Sequence, residues 1–130
     1  MKRVTGIGGV FFKAQDPQRI KEWYHKHLGF DVHDHGASFL WKEVGSPDGG
    51  DPASTEWSPF KIDTSYFHPS EKPFMFNYRV ENLFELIRML KEEGVTIIGG
   101  IEEYSYGKFA WIMDPEGNKI ELWEPVKSES

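Results

Sequence analysis

The sequence predicts an α+β fold of two βαβββ modules with a cleft between them. The main indication is an internal repeat, because an extended segment, a glycine-terminated helix and a further strand occur in each half of the 130 residues. The helix-ending glycines are Gly29 and Gly94, and a Trp-x-Pro motif follows in each half, beginning at Trp57 and Trp123. A repeat of this size predicts two copies of one supersecondary unit that share a core and enclose a site.

Module 1 is predicted over about 6–60 and begins with a strand over 7–14. Its helix has signals at both ends: Asp16 can act as N-cap, Pro17 suits the first helical position, and Gly29 stops the helix. Alternating side chains then predict strands over 30–33, 37–44 and 54–58, with a polar loop over 45–52.

Module 2 is predicted over about 74–125 and repeats the same order, beginning with a strand over 74–80. Its helix opens at Asn82, with Glu85 three residues on as in a capping box, and ends at Gly94. The remaining strands are predicted over 95–98, 108–113 and 119–123.

A turn signal fixes the pairing of the last two strands. In Asp114-Pro115-Glu116-Gly117 the proline sets the first corner and the glycine takes the left-handed position. This turn pairs Trp111 with Glu121, and alternation places Phe109 and Trp123 on the same strand face. A carboxylate among rings makes this face a candidate site.

The modules are joined by a connection over 61–73. It is rich in turn-forming residues and yet contains Tyr66 and Phe67. A long aromatic connection is often a lid or an ordered loop, so we expect it to be more than a spacer.

The composition limits the classes of partner and the cellular compartment that we expect for this protein. The formal net charge is −6 and no run of lysines or arginines occurs, which argues against nucleic acid and anionic membrane surfaces as partners. No cysteine is present, so disulfides and thiolate chemistry are excluded. No apolar stretch suits a secretory signal or a membrane span, and we therefore expect a soluble, cytoplasmic protein.

The helix opener DPQRIKEWYHKHLGF and the closing segment FAWIMDPEGNKIELWEP, together with the two modules, resemble the vicinal oxygen chelate superfamily. This group includes glyoxalase I, extradiol dioxygenases and bleomycin- or fosfomycin-resistance proteins. The resemblance runs from Gly6 to Pro125. It implies a curved mixed sheet that wraps a cleft, as in the glyoxalase-like fold, and a homodimer.

The resemblance also implies positions for a divalent metal, on the first and last strands of each module. In this sequence they are Gly9, Met75, Glu121 and either Thr55 or Glu56. Gly9 has no side chain, and the thioether of Met75 is too soft for an ion that prefers oxygen or nitrogen. Tight transition-metal binding needs three or more protein ligands, so we expect no metal cofactor.

Glu121 is the candidate catalytic residue. It is interpreted either as a partly desolvated carboxylate that acts as base, acid or hydrogen-bond acceptor, or as a structural carboxylate paired with a cation of the cleft. Lys13 and Arg79 end the opening strands of the modules and are the candidate cations, for Glu121 or for an anionic ligand. Asn77 shares their face and offers both a donor and an acceptor.

Aromatic side chains are the predicted walls of the cleft, although any single ring also suits the core. Together with the polar candidates of the same face, they give the candidate ligand-binding residues Phe11, Trp57, Asn77, Arg79, Trp111 and Trp123. A His-x-His pair, His33 and His35, is a further possible chelate, but solvated imidazoles are expected there.

Three functions fit these residues. The leading hypothesis is a metal-free member of the superfamily that binds a small, partly aromatic or apolar metabolite between its modules, as a resistance-type protein does. The alternative is a glyoxalase-like lyase or isomerase, or a dioxygenase-type enzyme, that uses Glu121 as acid/base or metal ligand. In a third hypothesis the aromatic surfaces form a dimer and the cleft is vestigial.

Overall fold

A computed structural model of the chain describes residues 2–43 and 51–126. The predicted α+β class and the two βαβββ modules are confirmed. The elements in chain order are β1 (Val4–Ala14), α1 (Pro17–Leu28), β2 (Val32–His33), β3 (Gly36–Trp41), β4 (Ala53–Lys61), β5 (Phe74–Val80), α2 (Leu83–Glu92), β6 (Ile97–Tyr104), β7 (Gly107–Met113) and β8 (Lys119–Pro125).

The strands form one curved mixed sheet in the order β2-β3-β4-β1-β5-β8-β7-β6. In each module the first strand pairs in parallel with the last: β1 with β4, and β5 with β8. The modules are joined where β1 and β5 pair antiparallel. The two first strands therefore lie side by side at the centre of the sheet.

The helix signals of the sequence are confirmed. The side chain of Asp16 accepts from the backbone N–H of Arg19, and Gly29 closes α1 at φ 70°. The side chain of Asn82 caps α2 in the same way. The two helices have 12 and 10 residues. No helix in the described part of the chain is long and apolar enough to cross a membrane.

Several strand bounds differ from the prediction. The sixth strand was expected over 95–98 but runs from Ile97 to Tyr104, because it continues past Gly99 and Gly100 to form a hairpin with β7. The strand β4 extends to Lys61 because it pairs with β1 along its whole second half. Positions 44–50, which include most of the expected polar loop, lie outside the described residues.

Two apolar clusters lie on opposite faces of the sheet. One packs beneath α2 and includes Leu86, Ala110 and Leu122. The other, on the cleft face, contains Phe11, Phe67, Met75 and Trp111. Phe67 is completely buried, so the connection between the modules is an ordered part of the fold, as its aromatic residues predict.

Candidate functional site

A row of four aligned positions crosses the centre of the sheet. Glu56 pairs with Gly9, Gly9 with Asn77, and Asn77 with Glu121. Each module thus supplies one residue from its first strand and one from its last. The open choice between Thr55 and Glu56 is settled by geometry, because Glu56 lies in this row and lines the cleft.

The expectation that Met75 is the counterpart of Gly9 in module 2 is wrong. The register between β1 and β5 shifts between Ile7 and Gly9, which brings Asn77 opposite Gly9. Met75 lies two pairs along, opposite Phe11, and is fully buried in the cleft-side cluster. A Cβ atom on Gly8, at the shift, would lie 2.2 Å from Asn77 Oδ1, so only glycine allows the amide to lie against β1.

Glu121 is 3% exposed and accepts hydrogen bonds from three side chains. Asn77 Nδ2 donates to Oε1 at 2.6 Å, Trp111 Nε1 donates to Oε2 at 2.9 Å, and the Tyr66 hydroxyl also donates to Oε2. Hydrogen bonds from neutral donors stabilise the charged form of a buried carboxylate. Glu121 is thus a hydrogen-bond acceptor, one of the roles in the first interpretation, and none of its three donors is a cation.

The two candidate cations lie elsewhere. Lys13 Nζ lies over the ring of Phe67, 5.9 Å from its centroid. The guanidinium of Arg79 lies over the ring of Trp123 at 5.1 Å and is 4.0 Å from the carboxylate of Glu43. The pKa of Arg79 is lowered by burial and raised to a lesser extent by Glu43. Neither cation is the partner of Glu121, which corrects that expectation.

The site residue that sequence reasoning missed is Tyr66, on the connection between the modules. Its ring stacks on Phe60 with centroids 5.7 Å apart, and its carbonyl oxygen accepts from Lys119 Nζ at 2.7 Å. Burial, and then the adjacent Glu121 carboxylate, raise the pKa of the Tyr66 hydroxyl. The aromatic residues of the connection were the signal that pointed to this loop.

The cleft beside Glu121 has a volume of about 460 Å³. Its lining comprises rings from both modules and from the connection, two carboxylates and a few small or polar groups: Gly8, Phe11, His35, Glu56, Ser58, Phe60, Tyr66, Asn77, Tyr106, Phe109, Glu121 and Trp123. Phe11, Asn77 and Trp123 thus line the cleft with Glu121. Trp111 is 8% exposed and lines a neighbouring cavity of about 440 Å³.

Trp57 is not part of the cleft wall, which corrects its predicted place. Its ring contacts Tyr24 and Phe30, with centroids 4.6 and 4.9 Å apart. Alternation along β4 explains this position, because Glu56 and Ser58 point into the cleft and Trp57 therefore points to the helix side.

Glu56 is the second carboxylate of the cleft, and it ends a chain of hydrogen bonds. The backbone N–H of His35 donates to Nδ1 of His33 at 3.2 Å, so the proton of a neutral His33 ring is on Nε2. His33 Nε2 lies 3.1 Å from the Ser38 hydroxyl, which donates to Glu56 Oε2. Among the described residues, Oε1 of Glu56 has no hydrogen-bond partner and remains available to the cleft.

The fold and the paired strands agree with a comparison of the sequence with protein families. The model of the Glyoxalase/Bleomycin resistance protein/Dioxygenase superfamily matches residues 6–122. The chain belongs to this superfamily. The glyoxalase-like architecture expected from the sequence is thereby confirmed.

Three known proteins are similar to this chain over most of its length. The uncharacterized protein YetH of Bacillus subtilis is 25% identical over 124 residues, which cover 93% of this chain and 99% of that protein. Methylmalonyl-CoA epimerase from Mycobacterium tuberculosis has a TM-score of 0.64 at 23% identity, over 97% of this chain and 91% of the epimerase. A single-residue variant of Streptomyces coelicolor methylmalonyl-CoA epimerase, in complex with 2-nitronate-propionyl-CoA, has a TM-score of 0.69 at 12% identity, over 95% and 99% of the two chains. At these identities the two structures show the fold alone.

The metal site that the superfamily implies does not fit the aligned row of this member. Gly9 has no ligating atom, and Asn77 directs its amide nitrogen to Glu121. Both oxygens of Glu121 are engaged by protein donors. Within 2–43 and 51–126, no three His, Cys, Asp or Glu residues are grouped closely enough to hold an ion. This donor set is poor for a divalent metal, which prefers three or more charged or imidazole ligands.

Proposed function

We propose that this protein binds a small, partly aromatic or apolar molecule in the cleft between its two modules, without the metal ion of the superfamily. The observation that supports this most strongly is the engagement of both Glu121 oxygens by protein donors beside a ring-lined cavity of about 460 Å³. This volume falls within the usual range for small-molecule sites, which are mostly apolar with a few fixed polar groups.

The affinity would come mainly from the rings. Phe60 and Tyr66 form one stacked pair beside the cleft, and Phe109 and Trp123 form another, with centroids 6.1 Å apart and planes at 3°. Glu56, half-buried with a free oxygen, is the polar group best placed to orient a ligand. Binding of this kind is the whole activity of a resistance-type protein.

Native mass spectrometry of the purified protein tests the proposal. We expect an organic adduct that is released on unfolding. Trp123→Phe should weaken it, because Trp123 lines the cleft, whereas Trp57→Phe should leave it unchanged because Trp57 lies on the helix side. Equal loss in both variants, or no adduct and no thermal shift with a panel of aromatic metabolites, would contradict the proposal.

A second candidate function is an enzyme of the lyase or isomerase type. Two observations favour it: the similar structures include epimerases, and the chain from His33 through Ser38 to Glu56 links an exposed imidazole to a cleft carboxylate. Glu56 would then act as the base, because it has a free oxygen and Glu121 has none. A Glu121-based mechanism is correspondingly less favoured.

Deuterium exchange separates the two functions. The co-purified molecule is incubated with the protein in D₂O and weighed by mass spectrometry. Uptake of deuterium by the wild type and not by Glu56→Gln would support the enzyme; no uptake by the wild type would support binding alone. The homodimer and the cytoplasmic location stay predictions, which sedimentation and fractionation test.

A further inference from the structure

Among the described residues that line the cleft, the Asp, Glu, Lys and Arg side chains are all acidic. Glu56 and Glu121 contribute carboxylates, and no lysine or arginine of the described residues lines the cavity. His35 is the one base among the described lining residues. Since opposite charges attract strongly at a partly desolvated site, the cleft favours a positively charged ligand over a negative one.

Two cations of this part of the sheet, Lys119 and Arg79, line other cavities. Lys119 lines the neighbouring 440 Å³ cavity, where its ammonium donates to the carbonyl of Tyr66. Arg79 lines a third cavity with Glu43, and its guanidinium lies over the rings of Trp41 and Trp123. Lys119 is thus engaged by a carbonyl group and also attracts the Glu121 carboxylate, whereas Arg79 lies against rings with a Glu43 oxygen 4.0 Å from its Nε. Neither cation lines the cleft.

The hydrogen bonds around Glu56 keep it an acceptor. The Ser38 hydroxyl donates to Oε2, and His33 lies behind Ser38 as a donor. This arrangement leaves Oε1 of Glu56, a residue that lines the cleft, with no protein partner among the described residues. The Glu56 carboxyl group is therefore held at one oxygen and open at the other.

The floor of the cleft adds an unpaired acceptor. Asn77 is 2% exposed, and because its Nδ2 donates to Glu121 its oxygen must point the other way, towards Gly8. That Oδ1 has no hydrogen-bond donor in the described part of the chain. An unpaired amide oxygen adds to the negative potential of the cleft, and ring faces attract cations as well.

We infer that the ligand of the cleft is an organic cation, namely a protonated amine or guanidine carried on an apolar or aromatic body. The charged group lies against Glu56 and the body lies between the ring pairs. The inference rests on the proposed function, because it names the class of molecule that the same cleft binds.

Three probes with one ring and different charges test this: 2-phenylethylamine, 2-phenylethanol and 3-phenylpropionate. Each is titrated to about 10 mM into ¹⁵N-labelled protein, and binding is followed at the indole N–H of Trp123. We expect the amine to bind at least about tenfold more tightly than the alcohol, and the carboxylate most weakly. The preference should fall to about twofold in Glu56→Gln and stay unchanged in Glu103→Gln, which removes an exposed carboxylate outside the cleft.

The results that overturn this inference differ from those that overturn the proposed function. If the alcohol or the carboxylate binds as tightly as the amine, the cation inference is overturned while the ring-lined binding site stands. A preference that survives in Glu56→Gln overturns the inference in the same way. If no probe shifts the Trp123 signal, the inference is overturned; the proposed function is overturned as well only if native mass spectrometry also shows no organic adduct.

Discussion

The side-chain amide of Asn77 donates a 2.6 Å hydrogen bond to Oε1 of Glu121 across the parallel strands β5 and β8. Trp111 on β7 and Tyr66 on the connection donate to the other oxygen. One buried carboxylate on β8 thus ties both neighbouring strands, β5 and β7, to the loop that joins the modules. The position for which the superfamily implies a metal ligand thus organises the floor of the cleft.

Replacement of Glu121 tests that structural role. Glu121→Gln places an amide N–H₂ against side chains that are themselves donors, and a buried donor left unpaired costs about 1–3 kcal/mol. We expect the free energy of unfolding to fall by about 2–3 kcal/mol in urea melts. Glu56→Gln is the control, because Ser38 can still donate to the new amide oxygen. If the two changes lower the free energy of unfolding equally, Glu121 is not held more firmly by its three donors than Glu56 is by Ser38.

Removal of the Tyr66 hydroxyl isolates one of the three donors. Tyr66→Phe keeps the stack on Phe60 but leaves Glu121 with two donors, so we expect a loss of about 1–2 kcal/mol in chemical unfolding. The matched control is Tyr104→Phe, which breaks an exposed tyrosine–carboxylate contact with Glu102 and should change stability too little to resolve. An unchanged free energy of unfolding in Tyr66→Phe would show that the hydroxyl does not help to hold Glu121.

Stability at high pH follows from the raised pKa of Tyr66. A tyrosine whose pKa is higher in the folded state contributes stability that is fully present below the unfolded pKa of about 10. That stability is lost as the pH rises from about 10 towards the folded pKa, because only the unfolded chain ionises there. The wild type and Tyr66→Phe should therefore differ most below about pH 10 and converge above it. A difference that grows with alkaline pH would contradict the raised pKa.

The connection between the modules is predicted to be part of the core. Phe67 is 0% exposed and packs with Met75 and Trp111, so Phe67→Ala should cost about 3–5 kcal/mol by thermal or urea unfolding. Leu40→Ala is the control, because that side chain is 70% exposed. If both changes have similar small effects, the connection is a spacer rather than a core element.

Much of the fold could be predicted because its signals are local. Asp16 and Asn82 cap the two helices as their residue types indicate. The turn at Asp114 pairs Trp111 with Glu121, as predicted. The end of β6 was not predicted because Gly99 interrupts the alternation of side chains. The strand continues beyond this glycine because it pairs with β7.

The site was harder to predict because it depends on register and on tertiary contacts. Alignment of the repeats selected Met75, whereas the shift beside Gly8 brings Asn77 into the row, and one sequence does not show such a shift. Tyr66 belongs to a loop whose position is set by its contacts with Phe60 and Lys119. Trp57 was assigned to the cleft by ring type alone, without the face that its strand gives it.

Metal content tests the central claim most directly. The protein is purified without chelator, and its divalent metals are measured per chain together with the melting temperature before and after addition of EDTA. We predict no stoichiometric divalent ion and an unchanged melting temperature, because Glu121 is already held by Asn77, Trp111 and Tyr66. One ion per chain, lost in Glu121→Gln and accompanied by a chelator-dependent fall in melting temperature, would contradict the account.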